Sequence, residues 1–421
     1  MTLWVAIALS AVSCKKDRSD SLAPSIEINS PTIGSTYYYN STISIEAVVT
    51  DDRQLKSVLV EITDAQNNRY LSPHLFSPIA KRFELNHTIL CDDLYLSSGT
   101  YFVRITADDG ENEQIAFREI QIMEAPRLIE RIFAVRNNGF TASIDTLHDE
   151  TLLPCINFQG DYRFGGIESR TRHLIASDTS PSSLLSVSLP YFENLSAAFP
   201  PSNDELTAFF HDRIGHRFLW GTHAGDIWST ATIGTQLFSS SIGNAPITCI
   251  AGSRDHIITI SGESSSAYIN ALRMDNGVVE TSIQVDWEVK GAVFLEAESN
   301  RVLLVGNQNG AAHFAWLNLA TSAINEVFNF YESSLVLGVY ECEGNDFFVV
   351  HESGIARYYN LLNNYTMNNS LIPDKLLYDD LENQLWAITP QILYRMEATG
   401  QSILQSIPAS NVADLWIQYN K

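Results

Sequence analysis

The residues best equipped for chemistry fall into four groups. The densest histidine cluster is His211-Asp212, His216 and His223, with Asp226 close behind. Imidazole and carboxylate are ordinary ligands of zinc and related metals. A strand-turn-strand would bring His211 and His216 together, and His223 or Asp226 would have to supply a third ligand. Turn and surface roles account for the same residues and are favoured. The second group is Asp51, Asp52, Asp108 and Asp109, which could meet at one end of a small β domain and hold Ca²⁺, an ion that prefers oxygen ligands. Asp-Asp and Asp-Gly are also ordinary turn chemistry, and turns are favoured.

Aromatic side chains form the third group: Tyr37-Tyr38-Tyr39, placed in a loop after Gly34 and just before a strand, then Trp228 near Asp226 and Trp287 beside Asp286. Such rings can stack on sugars or on a protein partner. The other tryptophans of the mature chain, Trp220, Trp316, Trp386 and Trp416, sit in apolar runs and read as packing. The fourth group is carboxylates beside inner strands, such as Glu168 and Glu296, since paired carboxylates hydrolyse glycosidic bonds. With 49 Asp and Glu in the chain, a fortuitous pair is certain. No Gly-rich phosphate loop opens a helix, and neither GxSxG nor HExxH occurs. A non-enzymatic protein with no cofactor beyond the Ca²⁺ candidate is therefore expected.

Charge narrows the partners. A net charge of −23 repels polyphosphate, so no nucleic acid is expected. The five cysteines, Cys14, Cys91, Cys155, Cys249 and Cys342, include no CxxC pair, and Cys249 and Cys342 lie in apolar runs as small core residues. A length of 421 residues with 45% hydrophobic content predicts more than one globular domain.

Two kinds of β pattern must position these groups. Residues 24–124 alternate apolar and polar positions, as in Ile43, Ile45, Ala47 and Val49 or Tyr101, Val103 and Ile105, which predicts six or seven half-buried strands and a small sandwich. Residues 125–421 instead repeat an apolar phrase. Its copies begin at Arg131, Arg172, His216, His256, Arg301, Asp346 and Gln384, in steps of 38 to 45 residues. That pitch is the length of one four-stranded propeller blade, so seven blades are expected. An upstream strand precedes every phrase but the first, and Val412 to Tyr419 is an upstream strand with no phrase after it. Pairing the two would close the ring and remove its free edges. Glu168 and Glu296 would then stand near a central channel.

The first residues carry a further signal. Leu3 to Val12 is an apolar run too short to span a bilayer and suits a signal peptide over 1–13. Ala11-Val12-Ser13-Cys14 resembles a bacterial lipobox, and the charged Lys15-Lys16-Asp17 that follows resembles surface lipoproteins of Bacteroidetes-type bacteria. The resemblance implies lipidation of Cys14, a tether over 14–23, and an outer-membrane, surface-exposed protein held by its lipid anchor only. Asp20-Ser21-Leu22 and Asp145-Thr146-Leu147 resemble the short O-glycosylation site of the same bacteria, which implies Ser21 and Thr146 as acceptors. Val49 to Val58 and Gly99 to Gly110 look like Ig-like, PKD-like or cadherin-like repeats, some of which bind Ca²⁺ through acidic strand ends. The C-terminal phrases resemble YVTN/NHL and quinoprotein-like propeller repeats.

The expectation is thus an all-β chain, an Ig-like sandwich followed by a seven-bladed propeller closed by the C-terminal strand. Its expected role is binding of a glycan or protein partner at the cell surface. Two alternatives stand beside it: a propeller hydrolase or lyase acting on polysaccharide, and a structural component of an outer-membrane complex.

Overall fold

The structure is a computed structural model that describes residues 22–178, 184–194, 204–232, 235–243, 245–263, 266–294, 300–327, 334–342, 346–359, 364–368 and 370–421. The chain forms two compact units, one ending at Pro126 and one beginning at Arg127. All regular elements among the described residues are strands.

The first unit contains β1 (Ser25–Ser30), β2 (Ser35–Tyr38), β3 (Thr42–Thr50), β4 (Ser57–Thr63), β5 (Arg69–Phe76), β6 (Arg82–Leu90), β7 (Gly99–Asp108) and β8 (Glu113–Met123). They make two sheets, ordered β1-β3-β6 and β2-β8-β7-β4-β5, around one core that includes Ile43, Ile45, Val60, Val103 and Ile105. β3 shows why the pattern works, since its buried positions alternate with positions outside the core all along the strand.

Two strands are absent from the sequence reading. Tyr37 and Tyr38 belong to β2 itself, which pairs in parallel with β8, and not to a loop. β5 carries Pro73, which speaks against a strand, but β5 is the edge of its sheet, where a missing N–H is tolerated.

In the second unit the described residues form seven four-stranded sheets. Six are consecutive in sequence, spanning 162–194, 206–241, 247–285, 288–326, 336–368 and 375–408. The seventh joins Ile129–Asn137, Thr141–His148 and Thr151–Gln159 to the last strand of the chain, Val412–Tyr419. There Trp416 pairs with Phe133 and Leu415 with Ala134.

The first strand of each sheet touches the first strand of the next. The cycle runs Tyr162–Glu168, Leu206–Asp212, Ile247–Gly252, Glu288–Phe294, Val336–Glu341, Lys375–Asp379 and Val412–Tyr419, then returns to Tyr162–Glu168. This arrangement is propeller-like.

The repeated phrase is the second strand of each sheet. In Arg301–Gln308 the run from Val302 to Gly306 is buried without alternation, because neighbouring sheets cover both faces. The cores accordingly lie between sheets: Ile258 and Ile269 of one pack with Val302 and Leu317 of the next. Along the closing strand, Asp414 accepts hydrogen bonds from Tyr162 Oη at 2.5 Å and Lys375 Nζ at 2.6 Å. One buried carboxylate thereby ties the closing strand to the sheets on either side of it.

Candidate functional site

Antiparallel connection dictates where side chains of different sheets can meet. In each four-stranded sheet the turns after the first and third strands lie at one end, while the turn after the second strand and the link to the next sheet lie at the other.

A cavity of about 480 Å³ lies at the link end between the sheets at 247–285 and 288–326. Trp287 and His313 meet there edge to face, with ring centroids 4.5 Å apart. Asp286 and Glu326 add carboxylates, and Gln284 and Gln308 add amides. Local sequence explains the rim. Asn309 and Gly310 both have positive φ, at 53° and 81°, in a two-residue hairpin that joins Gln308 to Ala311. Thr281 and Ser322 bridge the two sheets through a 3.0 Å hydroxyl contact.

Trp287 is 5% exposed, so it forms part of the floor and offers no open face for stacking. Burial pushes the His313 pKa down, against the opposing pull of Glu326 and Asp286, so the ring is neutral at pH 7 and presents one donor and one acceptor. The recess is acidic at its edge and rich in hydrogen-bonding groups, a lining suited to a neutral polyhydroxylated ligand and hostile to an anion.

The histidine cluster divides across the two ends. His211 ends Leu206–Asp212 and His216 precedes Arg217–Thr222, so both lie at the turn end. His223 and Asp226 follow the second strand and lie at the link end, so neither completes a ligand set with the other two. The group that joins His211 and His216 is Glu168 from the preceding sheet. His211 Nε2 lies 2.9 Å from Glu168 Oε2, and His216 Nδ1 lies 3.2 Å from Oε1. Among the described residues no three His, Cys, Asp or Glu form a group that could hold a metal ion.

The turn is locked from within. Asp212 accepts from the Gly215 N–H at 2.9 Å and from Arg217 Nε at 2.9 Å, which holds His216 at a φ of 51°. Burial raises the Glu168 pKa, but the His211 hydrogen bond, the Arg170 N–H and the two imidazoles outweigh it, and the carboxyl is held below its ordinary value. Burial dominates at His211 and lowers its pKa, despite the hydrogen bond to Glu168. Glu168 is therefore the charged member and His211 the neutral one.

The other predicted residues are dispersed. Asp51 accepts from the N–H groups of Arg53 and Gln54 at 2.7 and 2.6 Å, Asp108 from Gly110 at 2.6 Å, and Asp109 from Glu111 and Asn112 at 2.6 and 2.7 Å. The Asp52 carbonyl takes the Lys81 ammonium at 2.6 Å. This is turn chemistry. Tyr37 packs on the sandwich core and Tyr38 is exposed, while Tyr39 lies just past β2 and is half-buried. Trp228 pairs with Trp220 and is half-buried against an aromatic cluster. Thr146 lies within Thr141–His148, with Cys155 Sγ at 3.5 Å from its hydroxyl. Cys14, Ser21 and Glu296 lie outside the described residues. His313, Glu326, Gln284 and Gln308 carry no signal in the sequence, since each is an isolated polar residue in a strand run or at its end.

No family model matches the chain, and no curated protein matches it. Solved structures do. A functionally unknown protein from Desulfotomaculum acetoxidans is similar at 11% identity and a TM-score of 0.52, over 68% of this chain and 98% of that one. Sqt1 of Saccharomyces cerevisiae aligns at 14% identity and a TM-score of 0.49, over 68% and 88%. The Dos1 propeller aligns at 11% and 0.44, over 60% and 72%. At this identity the likeness to the first is one of fold.

Proposed function

We propose that this chain is a non-enzymatic, cell-surface lipoprotein of the outer membrane whose propeller binds a neutral glycan in the cleft floored by Trp287. In this reading Cys14 carries the lipid, residues 14–23 are a tether, and an Ig-like sandwich intervenes in sequence before a seven-bladed propeller. Several features support the architecture. The strand orders β1-β3-β6 and β2-β8-β7-β4-β5 follow the A-B-E and A′-G-F-C-C′ plan of such sandwiches. Tyr101, near the start of β7, donates from its hydroxyl to the Ser97 carbonyl at 2.9 Å, the tyrosine corner of that fold. Seven sheets in cyclic contact support the blade number.

The observation that carries the function is the cleft itself. A recess of about 480 Å³ with a Trp-His floor, two carboxylates and two amides offers apolar surface and several fixed hydrogen-bonding groups to one ligand. Calorimetry of the purified chain against neutral and acidic polysaccharides, with product analysis of each mixture, tests it. Binding of a neutral glycan without turnover is expected, weakened about tenfold in Asp286→Ala and Glu326→Ala, as loss of about 1.4 kcal/mol of polar contact predicts. Product formation would replace this reading with the polysaccharide hydrolase or lyase. Neither binding nor turnover would favour a structural role in an outer-membrane complex.

A further inference from the structure

A second cavity, of about 180 Å³, lies at the opposite, turn end of the sheets, and its charge is inverted relative to the chain. The protein has 26 Lys and Arg against 49 Asp and Glu. The side chains lining this cavity include Arg127, Arg170, Arg213 and Lys421 against the carboxylate of Glu168, with the main-chain carboxylate of Lys421 as a second anion.

The Glu168 carboxylate is turned to other uses. Its Oε1 faces the Arg170 N–H at 3.1 Å and His216 Nδ1 at 3.2 Å, and its Oε2 faces His211 Nε2 at 2.9 Å. The same contact fixes the His216 tautomer. With its Nδ1 proton directed at Glu168, its Nε2 lone pair accepts from Arg170 Nη1 at 3.1 Å. Ser169 is likewise occupied, as its hydroxyl accepts the Tyr419 N–H at 2.9 Å. Arg127 is ion-paired to Asp380 and stacked 3.7 Å over the Tyr419 ring.

Arg213 differs from these. It makes no hydrogen bond or ion pair with any described residue. It shares the cavity wall with Glu168, His211 and Tyr419, which come from three different sheets. A guanidinium in the cavity wall with no hydrogen-bond partner among the described residues has donors to offer a ligand. From this juxtaposition we propose that the turn-end cavity is a binding site for a small oxyanion, a carboxylate, sulfate or phosphate group, with Arg213 as its principal ligand. The cavity, of about 180 Å³, has room for a free ion or the charged group of a larger molecule. Planar, forked donors suit such groups.

This site is independent of the neutral-glycan cleft, so either can fail alone. The test titrates the full chain at low ionic strength with inorganic sulfate, inorganic phosphate, glucuronate and glucose, following NMR shifts and heat. Wild type, Arg213→Gln and Arg273→Gln are compared. Arg273 pairs with Asp275 on an exposed turn and serves as the charge-matched control. The expected result is saturable binding of at least one anion, no binding of glucose at this site, a loss of tenfold or more in Arg213→Gln, and no change in Arg273→Gln. Glucuronate without the inorganic ions identifies the charged group of a sugar acid as the ligand, and the reverse identifies a free oxyanion. Absence of binding for all three anions overturns the proposal, as does an equal loss in both variants. Unchanged melting of Arg213→Gln confirms that any loss is one of binding.

Discussion

The link-end cleft and the turn-end cavity are built on the same repeated strands and hold opposite chemistry. Around Trp287 the rim groups are Asp286 and Glu326, and the His313 imidazole is neutral. Around Arg213 most of the charged side chains are cationic, and the carboxylate side chain in the lining, Glu168, is spent on two imidazoles. The strands between the two ends are nearly uniform buried apolar runs, so they distinguish neither site. The difference teaches that in a propeller-like unit the strands provide rigidity, while ligand choice rests on the few residues at strand ends, where chains from neighbouring sheets converge.

That comparison can be broken most severely by removing what both ends share. Deleting Asp414 to Lys421 strips the closing strand from the sheet at 129–159 and should abolish cooperative melting of the second unit and both binding activities. A truncated chain that melts like wild type by calorimetry would show that the ring does not depend on closure. A milder version is Asp414→Ala. It leaves the Tyr162 hydroxyl and the Lys375 ammonium without their common acceptor, and we expect a loss of about 3 kcal/mol, at the low end for a broken buried pair because Lys375 is partly exposed. Denaturant melts that agree within error between Asp414→Ala and wild type would contradict the assigned role.

A crossed experiment sharpens the contrast. Glu326→Ala should weaken neutral glycan about tenfold and leave anion binding intact, and Arg213→Gln should do the reverse. Loss of both ligands in either variant would mean that the two ends are coupled or that one site binds both.

The smallest expected effect concerns pH. Glu341 reaches solvent while protein crowds it from several sides. That crowding raises its pKa to about 7, against the Phe294 N–H and the Arg213 charge, which lower it. Between the ordinary glutamate value and about 7 the folded state holds its proton where the unfolded state has lost it, so stability falls as pH rises through that window and stays lower above it. Glu341→Gln should therefore melt slightly higher than wild type at pH 8 and equally at pH 4. Parallel melting curves at the two pH values would remove Glu341 from the account.

Glu168 and His211 act in the opposite sense. The lowered carboxyl pKa of Glu168 contributes stability that is lost on acidification through its folded value, and His211, also lowered, favours the unfolded chain as pH falls below the ordinary imidazole value. Replacing Glu168 by Gln should accordingly flatten the acid limb of the stability profile.

Much of the fold was legible because its signals are local. Alternation at Ile43, Ile45, Ala47 and Val49 marks a strand with one buried face, and the unbroken run Val302 to Val305 marks one buried on both. Local signals also misled. The Tyr37-Tyr38 run lacks alternation and reads as a loop, yet it is an edge strand paired in parallel, and Pro73 hides another. The sites were legible only in part. Trp287 stood out as a tryptophan beside a carboxylate, but its ring faces the core, and the lining that matters, His313 and Glu326, comes from strands of the next sheet.

By itself, then, the sequence determined the β character, the repeat pitch near the length of a blade and the unpaired phrase at each end of the repeat, because periodicity and turn residues act over a few positions. Only the tertiary structure decided that Glu168 joins His211 and His216, that His223 stands away from them, and that Arg213 shares a cavity wall with Glu168 and Tyr419. Those contacts span tens to hundreds of residues and depend on how one sheet stacks on the next, which no local pattern records.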